Sequence, residues 1–345
     1  MSADNTRLGV ARCGVAAVLF GATTPVASRI ADDTSAPILA GLLYLGAAVA
    51  VLPFVRRRSV DRVALRSGAR RLGIAVVAGG LIGPLLLAAG LSRTPAATAS
   101  LLLNLELVAT LLLAGLLFGE HIGRRVALGG LCVAVAGVVL AWSDVPDLRL
   151  GALLVVGACA CWGLDNCVTA GLDEIAPEHI TLAKGMVAGG ANLLLGLTIG
   201  GDLPGSGEVV LALIAGALGY GLSITLWVAG ARDIGAARGQ LVFSCAPFVG
   251  VGIAWTVFGD PMRGVELAAL GLASAGVWTV LRSDHLHPHR HQPMDHEHEH
   301  THDDAHHSHP HEVATPASRH THRHRHDALV HAHPHVPDLH HRHDH

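Results

Sequence analysis

The sequence predicts an all-α fold: a polytopic membrane protein of ten transmembrane helices in two inverted five-helix repeats, followed by a disordered histidine-rich tail. Three observations carry this. Apolar runs of roughly 18–24 residues, each long enough to span a bilayer as a helix, follow one another up to Leu281. The pattern of Leu91–Trp142 returns 140 residues later in Gly230–Leu281, and self-similarity at a fixed interval marks a duplicated chain. Beyond Leu281 the composition changes abruptly, because the last segment holds 23 of the 25 histidines and almost no apolar clusters.

Composition supports the division. The chain is 51% hydrophobic and only 15% charged, which suits a polytopic membrane protein and not a soluble domain of this length. Up to Leu281 there are 18 basic and 17 acidic side chains, whereas the tail carries six arginines and ten acids, so the net charge of −3 describes neither part. The six cysteines lie within apolar runs and form no CxxC pair, which reads as reduced, buried thiols. The first apolar run is too long for a signal-peptide core and is expected to remain as an anchor.

In chain order the expected spans are 8–30, 36–55, 71–91, 95–118, 123–142, 149–172, 179–200, 208–230, 235–258 and 263–281. They group as a first repeat over 8–142, a second over 149–281, and a tail over 282–345. Pro25, Pro84 and Pro247 fall inside spans, which lipid tolerates where neighbours satisfy the freed backbone groups. With the N-terminus cytoplasmic, fourteen arginines fall on inside loops and four (Arg29, Arg93, Arg149, Arg263) outside. The positive-inside rule therefore sets both termini in the cytoplasm. Five spans per half is odd, so the second half enters from the opposite face and the repeats are inverted.

The duplication aligns without gaps over its main part. Ala96-Ala97 falls on Ala236-Ala237, Phe118-Gly119 on Phe258-Gly259, and Glu120 on Asp260. In the first span of each half, Leu19-Phe20-Gly21 echoes Cys161-Trp162-Gly163. With these features, over about residues 8–281, the chain resembles the EamA-type branch of the drug/metabolite transporter superfamily. The Glu-Pro step common in that family's fourth span is split here between Glu106-Leu107 and Ala246-Pro247, and the basic residue of its second span is Lys184 in one half but Tyr44 in the other. The resemblance implies a carrier without ATPase machinery, and it does not reach the tail. No Walker-type phosphate loop is present either.

Three ionisable side chains fall within the apolar spans: Glu106, Asp165 and Lys184. A charge near the bilayer centre costs about 2.5–3.5 kcal/mol on insertion scales, so it faces protein or water. Glu106 lies close to the midplane, as a proton or cation site. Asp165 and Lys184 lie at similar depth on successive helices and are placed to pair, either as a gate or as a structural bridge. Asn104 and Asn166 stand beside these acids, and Asn192 lies in the seventh span; each can contact cargo or bond a neighbouring helix. Cys161 and Asp165 share a helix face that would suit a soft metal. Of the five tryptophans, which invite a cation cage, Trp142 ends a span and reads better as an interface anchor.

The tail reads compositionally as metal-binding, with His296, His298, His300, His302, His306, His307, His309 and His311 as its candidate ligands. Neutral imidazole suits zinc, nickel and cobalt, but no spacing closes a single site, so loose binding is expected and no cofactor is required. The expected partners are the bilayer and a small-molecule or metal-ion substrate, with a homodimer open and no nucleic acid. The functional expectation is a secondary-active transporter in the plasma or inner membrane, exporting a small metabolite or drug-like solute. A divalent-metal transporter using the tail as buffer, and a membrane-anchored metal sensor that moves nothing, are the alternatives. An enzyme is the least expected class, since the sequence shows no nucleophile–base constellation or cofactor loop.

Overall fold

The computed structural model describes residues 3–55, 62–118, 123–142, 146–169, 172, 175–234, 242–281, 285–290, 294–300, 320–326 and 330–335. Among the described residues, eight helices are long and apolar enough to cross a membrane. They are α1 (Arg7–Ala31), α2 (Ala36–Val55), α3 (Ala69–Leu91), α4 (Ala96–Leu117), α5 (Arg124–Ala141), α6 (Pro146–Thr169), α7 (Pro177–Thr198) and α8 (Ser206–Gly230). Two further apolar helices, α9 (Ala246–Thr256) and α10 (Gly264–Leu281), occupy the positions of the ninth and tenth expected spans. The opening residues of the ninth, 235–241, lie outside the described residues.

Packing follows the inverted duplication. Helix α1 lies against α8 and α9, and its counterpart α6 lies against α3 and α4. Three pairs join each helix to its own counterpart: α2 with α7, α4 with α9, and α5 with α10. A two-fold axis in the membrane plane generates this set of pairings, which turns a doubled sequence into one interlocked bundle. Gly185 and Gly189 on α7 meet the α2 backbone at Tyr44 and Leu45 so closely that an added Cβ would lie 2.7 and 3.0 Å from it. Small residues let helices approach where lipid offers no hydrophobic drive to associate. The outward faces stay apolar: Leu116, Leu128, Val187, Leu194 and Ile199 are exposed, as a bilayer requires.

The helices are interrupted in matching places. Helix α3 carries a π-helical turn at Val76–Ile82 and α8 one at Ala217–Leu222. Helix α4 breaks at Leu103–Asn104, between Ala96–Leu102 and Leu105–Phe118. The ninth span breaks at Ser244–Cys245, immediately before α9. These sites are about 140 residues apart, so the interruptions belong to the repeat. Helix α7 has a third π turn, Lys184–Ala188, that α2 lacks.

Four short segments of the tail are described, as extended chain. His285–Arg290 pairs antiparallel with Val330–His335, and Met294–His300 with His320–His326. Here every second residue is histidine, and a period of two belongs to an extended strand. Such two-stranded ribbons are marginal in water on their own.

Candidate functional site

The centre of the bundle is built on the two elements that recur, the interrupted fourth span and the π turn of the third. The π turn of α3 re-routes its hydrogen bonds by one residue, so that the N–H of Gly83 reaches the carbonyl of Ala78. The next N–H in that register would serve Gly79 but belongs to Pro84, which has none. The Gly79 carbonyl is left open and accepts two bonds from other helices. The Tyr44 hydroxyl donates from α2 at 2.6 Å, and Trp162 Nε1 from α6 at 3.1 Å. Asn192 on α7 donates to the nearby Leu81 carbonyl at 3.1 Å, the interhelical role weighed for it. The Pro84 gap is thus satisfied from outside the helix, as buried backbone in lipid demands.

Gly79 also makes room for a charge. An added Cβ there would overlap the Asp165 carboxylate. Asp165 and Lys184 are both buried, and Lys184 Nζ stands 2.6 Å from each carboxylate oxygen. The Thr169 hydroxyl donates to the same carboxylate at 3.0 Å. The expected pairing of Asp165 with Lys184 is therefore made. In the other half Thr23 occupies Asp165's place: a Cβ added to Gly219 would overlap the Thr23 hydroxyl. Tyr44 likewise stands 140 residues before Lys184. A near-symmetric scaffold thus carries an ion pair on one side and neutral hydroxyls on the other.

Glu106 lies in the first turn of the second half-helix of α4, created by the break at Leu103–Asn104. A helix N-terminus favours a negative charge, so the break gives this carboxylate a stabilising position inside the membrane. Asn166 Nδ2 on α6 donates to Glu106 Oε1 at 2.8 Å and to Thr110 Oγ1 at 3.3 Å. Among the described residues no basic side chain pairs with Glu106, yet Lys184 and Asp165 are within electrostatic reach of it. Asn104 belongs to the break itself, its side chain donating to the Leu101 carbonyl at 3.1 Å. The thiol of Cys159, 3.5 Å from the Leu102 carbonyl, serves the next freed acceptor. Asn104 therefore bonds its own helix end.

An aromatic wall closes the site. Phe20 lies edge-on to Trp162 and Tyr220 with centroids 6.3 and 5.6 Å away, and Tyr44 is 5.3 Å from Tyr220. Of the five tryptophans, Trp162 and Trp227 join this cluster, the latter through Phe243. Trp142 and Trp278 are exposed on the lipid-facing surface. Sequence reasoning had not singled out Tyr44, Tyr220, Phe20 and Phe243 for this wall. The echo of Phe20 in Trp162, equivalent positions in the two first spans, was the available signal.

Glu266 was missed, and Asp260 was noted only as the counterpart of Glu120. Glu266, fully buried at the start of α10, accepts from Thr98 Oγ1 on α4 at 2.6 Å and from the Arg263 backbone N–H at 3.2 Å. It caps its own helix while tying it to another. Asp260 pairs with Arg29 at 2.8 Å, and the Arg29 guanidinium also lies 5.1 Å from the Phe258 ring centre. Cys161 is half-buried, and among the described residues no group of three or more His, Cys, Asp and Glu could hold a metal ion. In the tail, His296, His298 and His300 lie on a ribbon, whereas His302, His306, His307, His309 and His311 lie outside the described residues.

The comparisons fit this architecture. The chain is 33% identical over 171 residues to an uncharacterized protein of Pseudomonas aeruginosa, covering 48% of this chain and 58% of that one. It is 28% identical over 201 residues to an uncharacterized transporter of Methanothermobacter thermautotrophicus, covering 54% and 57%. The chain thus spans less than two thirds of either relative. A crystal structure of a protein shares the fold with a TM-score of 0.59 at 19% identity, over 82% of this chain and 98% of that one. The profile of the EamA-like transporter family matches twice, at residues 8–143 and 149–282. Taken with the inverted pairing of two five-helix halves, this double match makes the chain a multi-pass membrane protein of the EamA-like transporter family.

Proposed function

We propose that the protein is a secondary-active carrier that exports a small organic solute bearing an amine, by alternating access around the site at the seam of its two halves. The observation that carries this is Glu106, a carboxylate held at a half-helix N-terminus by Asn166 alone, with no cation paired to it among the described residues. A ligand ammonium, or a proton, completes that carboxylate. The aromatic faces of Trp162, Phe20 and Tyr220 suit the apolar body of such a cargo and favour a cationic head. Proton and amine then compete for Glu106, which couples inward proton movement to outward cargo movement. Asp165 and Lys184 hold α6 and α7 together beside the site. The matching breaks in the fourth and ninth spans supply bends about which the halves rock. The carrier lies in the plasma or inner membrane, and its arginine distribution orients both termini to the cytoplasm.

The test is flux in proteoliposomes carrying a pH gradient, screened over amines and amino acids. Glu106→Gln keeps the hydrogen bond to Asn166 but cannot exchange a proton. It abolishes gradient-driven transport while leaving the folded protein intact by thermal unfolding. Full gradient-driven flux in that variant would remove Glu106 from the coupling role.

A further inference from the structure

One arginine joins the ends of two helices far from the central site. Helix α9 ends at Thr256, and the chain reverses at Gly259, whose φ of +70° is open to glycine at no steric cost. The Phe258 N–H donates to the Ile253 carbonyl at 3.2 Å, and the Asp260 N–H to the Ala254 carbonyl at 3.0 Å. This capped turn sets the Phe258 carbonyl and ring and the Asp260 carboxylate beside the last turn of α1, where Arg29 engages all three. Arg29 Nη2 donates to the Phe258 carbonyl at 3.1 Å and to Asp260 Oδ1 at 2.8 Å, and the guanidinium lies 5.1 Å from the ring centre. The Asp260 side chain is only 15% exposed, so the pair is partly sheltered from water.

On the orientation that the arginine distribution sets, α9 is the outer half of the ninth span and Ala96–Leu102 the outer half of the fourth. These two half-helices pack against each other. Ala96, Ala97 and Ala254 are buried together with Trp255 against them, and a Cβ added to Gly250 would lie 2.6 Å from Ser100 Oγ. The outer mouth is therefore shut by α9, a short rod that begins at the break of Ser244–Cys245 and is held at its far end by Arg29. The two halves differ here. Phe118-Gly119-Glu120, at the inner end of the fourth span, repeats Phe258-Gly259-Asp260, but the alignment that sets Phe20 on Trp162 sets Arg29 on Gly171. The inner end thus has the sequence of the turn without its arginine. We propose that Arg29 is the latch of an outer gate: it holds α9 closed against α1, so that the carrier rests shut to the outside and takes its cargo from the cytoplasm. The proposal rests on the reading of the protein as an alternating-access carrier. Release of the latch frees α9 to swing about the break, and a contact present in only one of two states biases the equilibrium toward that state.

The experiment measures the outer mouth in the full-length protein in lipid vesicles, by pulsed electron resonance between two nitroxides. They are attached at Ser92→Cys, before the fourth span, and at Met262→Cys, after α9, both exposed positions. The reagent does not cross the membrane, and the chain with its native cysteines alone gives the background. Without cargo or gradient the labelled chain shows one short distance. Arg29→Gln adds a longer one and raises the open fraction about fivefold to tenfold, the scale of an exposed charge pair joined to a cation–ring contact. Asp260→Asn gives a smaller rise, because the Phe258 carbonyl and ring still hold Arg29. Arg29→Asp opens the mouth further, and Asp260→Arg in the same chain closes it again. Arg149→Gln, at an exposed arginine of the same face, leaves the distance unchanged. No cargo is present, so a wrong role for Glu106 leaves these distances as they are, and a wrong role for Arg29 leaves the flux test of Glu106 as it is. An unchanged distance in both Arg29 variants would overturn the latch. So would a charge reversal that its partner fails to restore, or an equal opening in Arg149→Gln.

Discussion

Lys184→Met removes the ammonium from the buried pair and tests most directly how the bundle centre is held. Both side chains are buried, and Nζ reaches both carboxylate oxygens at 2.6 Å. In the variant the Asp165 carboxylate keeps only the Thr169 hydroxyl, at 3.0 Å. Breaking a buried pair by deleting one partner costs about 3–5 kcal/mol, because the other charge stays desolvated. The Thr169 bond is already present in the wild type and offsets none of this. Asp165→Asn in the Lys184→Met background removes the stranded charge, so the double variant recovers most of the loss. The coupling energy should then be about 2–3 kcal/mol, the upper range for residues in direct contact. Reversible unfolding in mixed micelles measures all four corners of the cycle. Additive effects, each below about 0.5 kcal/mol as for exposed pairs, would show that the pair is solvated and carries no load.

Two further outcomes follow from the neighbouring contacts. Tyr44→Phe and Trp162→Phe each remove one of the two donors to the Gly79 carbonyl and should cost about 1 kcal/mol, whereas the double variant strands the carbonyl and loses more than the sum; additive losses in the same unfolding assay would mean another group already serves that acceptor. Thr98→Val takes from the buried Glu266 its bond from α4 and should destabilise by about 1.5–3 kcal/mol, the value of a hydrogen bond to a charged group, while leaving flux through the central site unchanged; a loss of flux at full stability would place Glu266 in the transport path.

Residue order alone pointed to most of the spans, to the doubling and to Asp165 and Lys184 as residues able to pair, because each depends on local quantities. Length and apolarity define a helix in lipid, a fixed interval reveals a repeat, and similar depth on successive helices brings two charges together. The break at Leu103–Asn104 was not legible in the same way: the run around it has only scattered polar residues such as Asn104 and Glu106, and no glycine or proline marks it. Nor could the sequence show that Pro84 would leave the Gly79 carbonyl to Tyr44 and Trp162, since that needs the π register of α3 and the approach of α2 and α6. Tyr44, Tyr220, Phe20 and Trp162 come from four helices of both halves and share no local pattern. Only the crossing of α1 with α8, and of α6 with α3 and α4, brings these rings and Glu106 to one place. Chemistry that depends on a single stretch of chain can be read from that stretch, but a site assembled by inverted halves exists only where the halves meet.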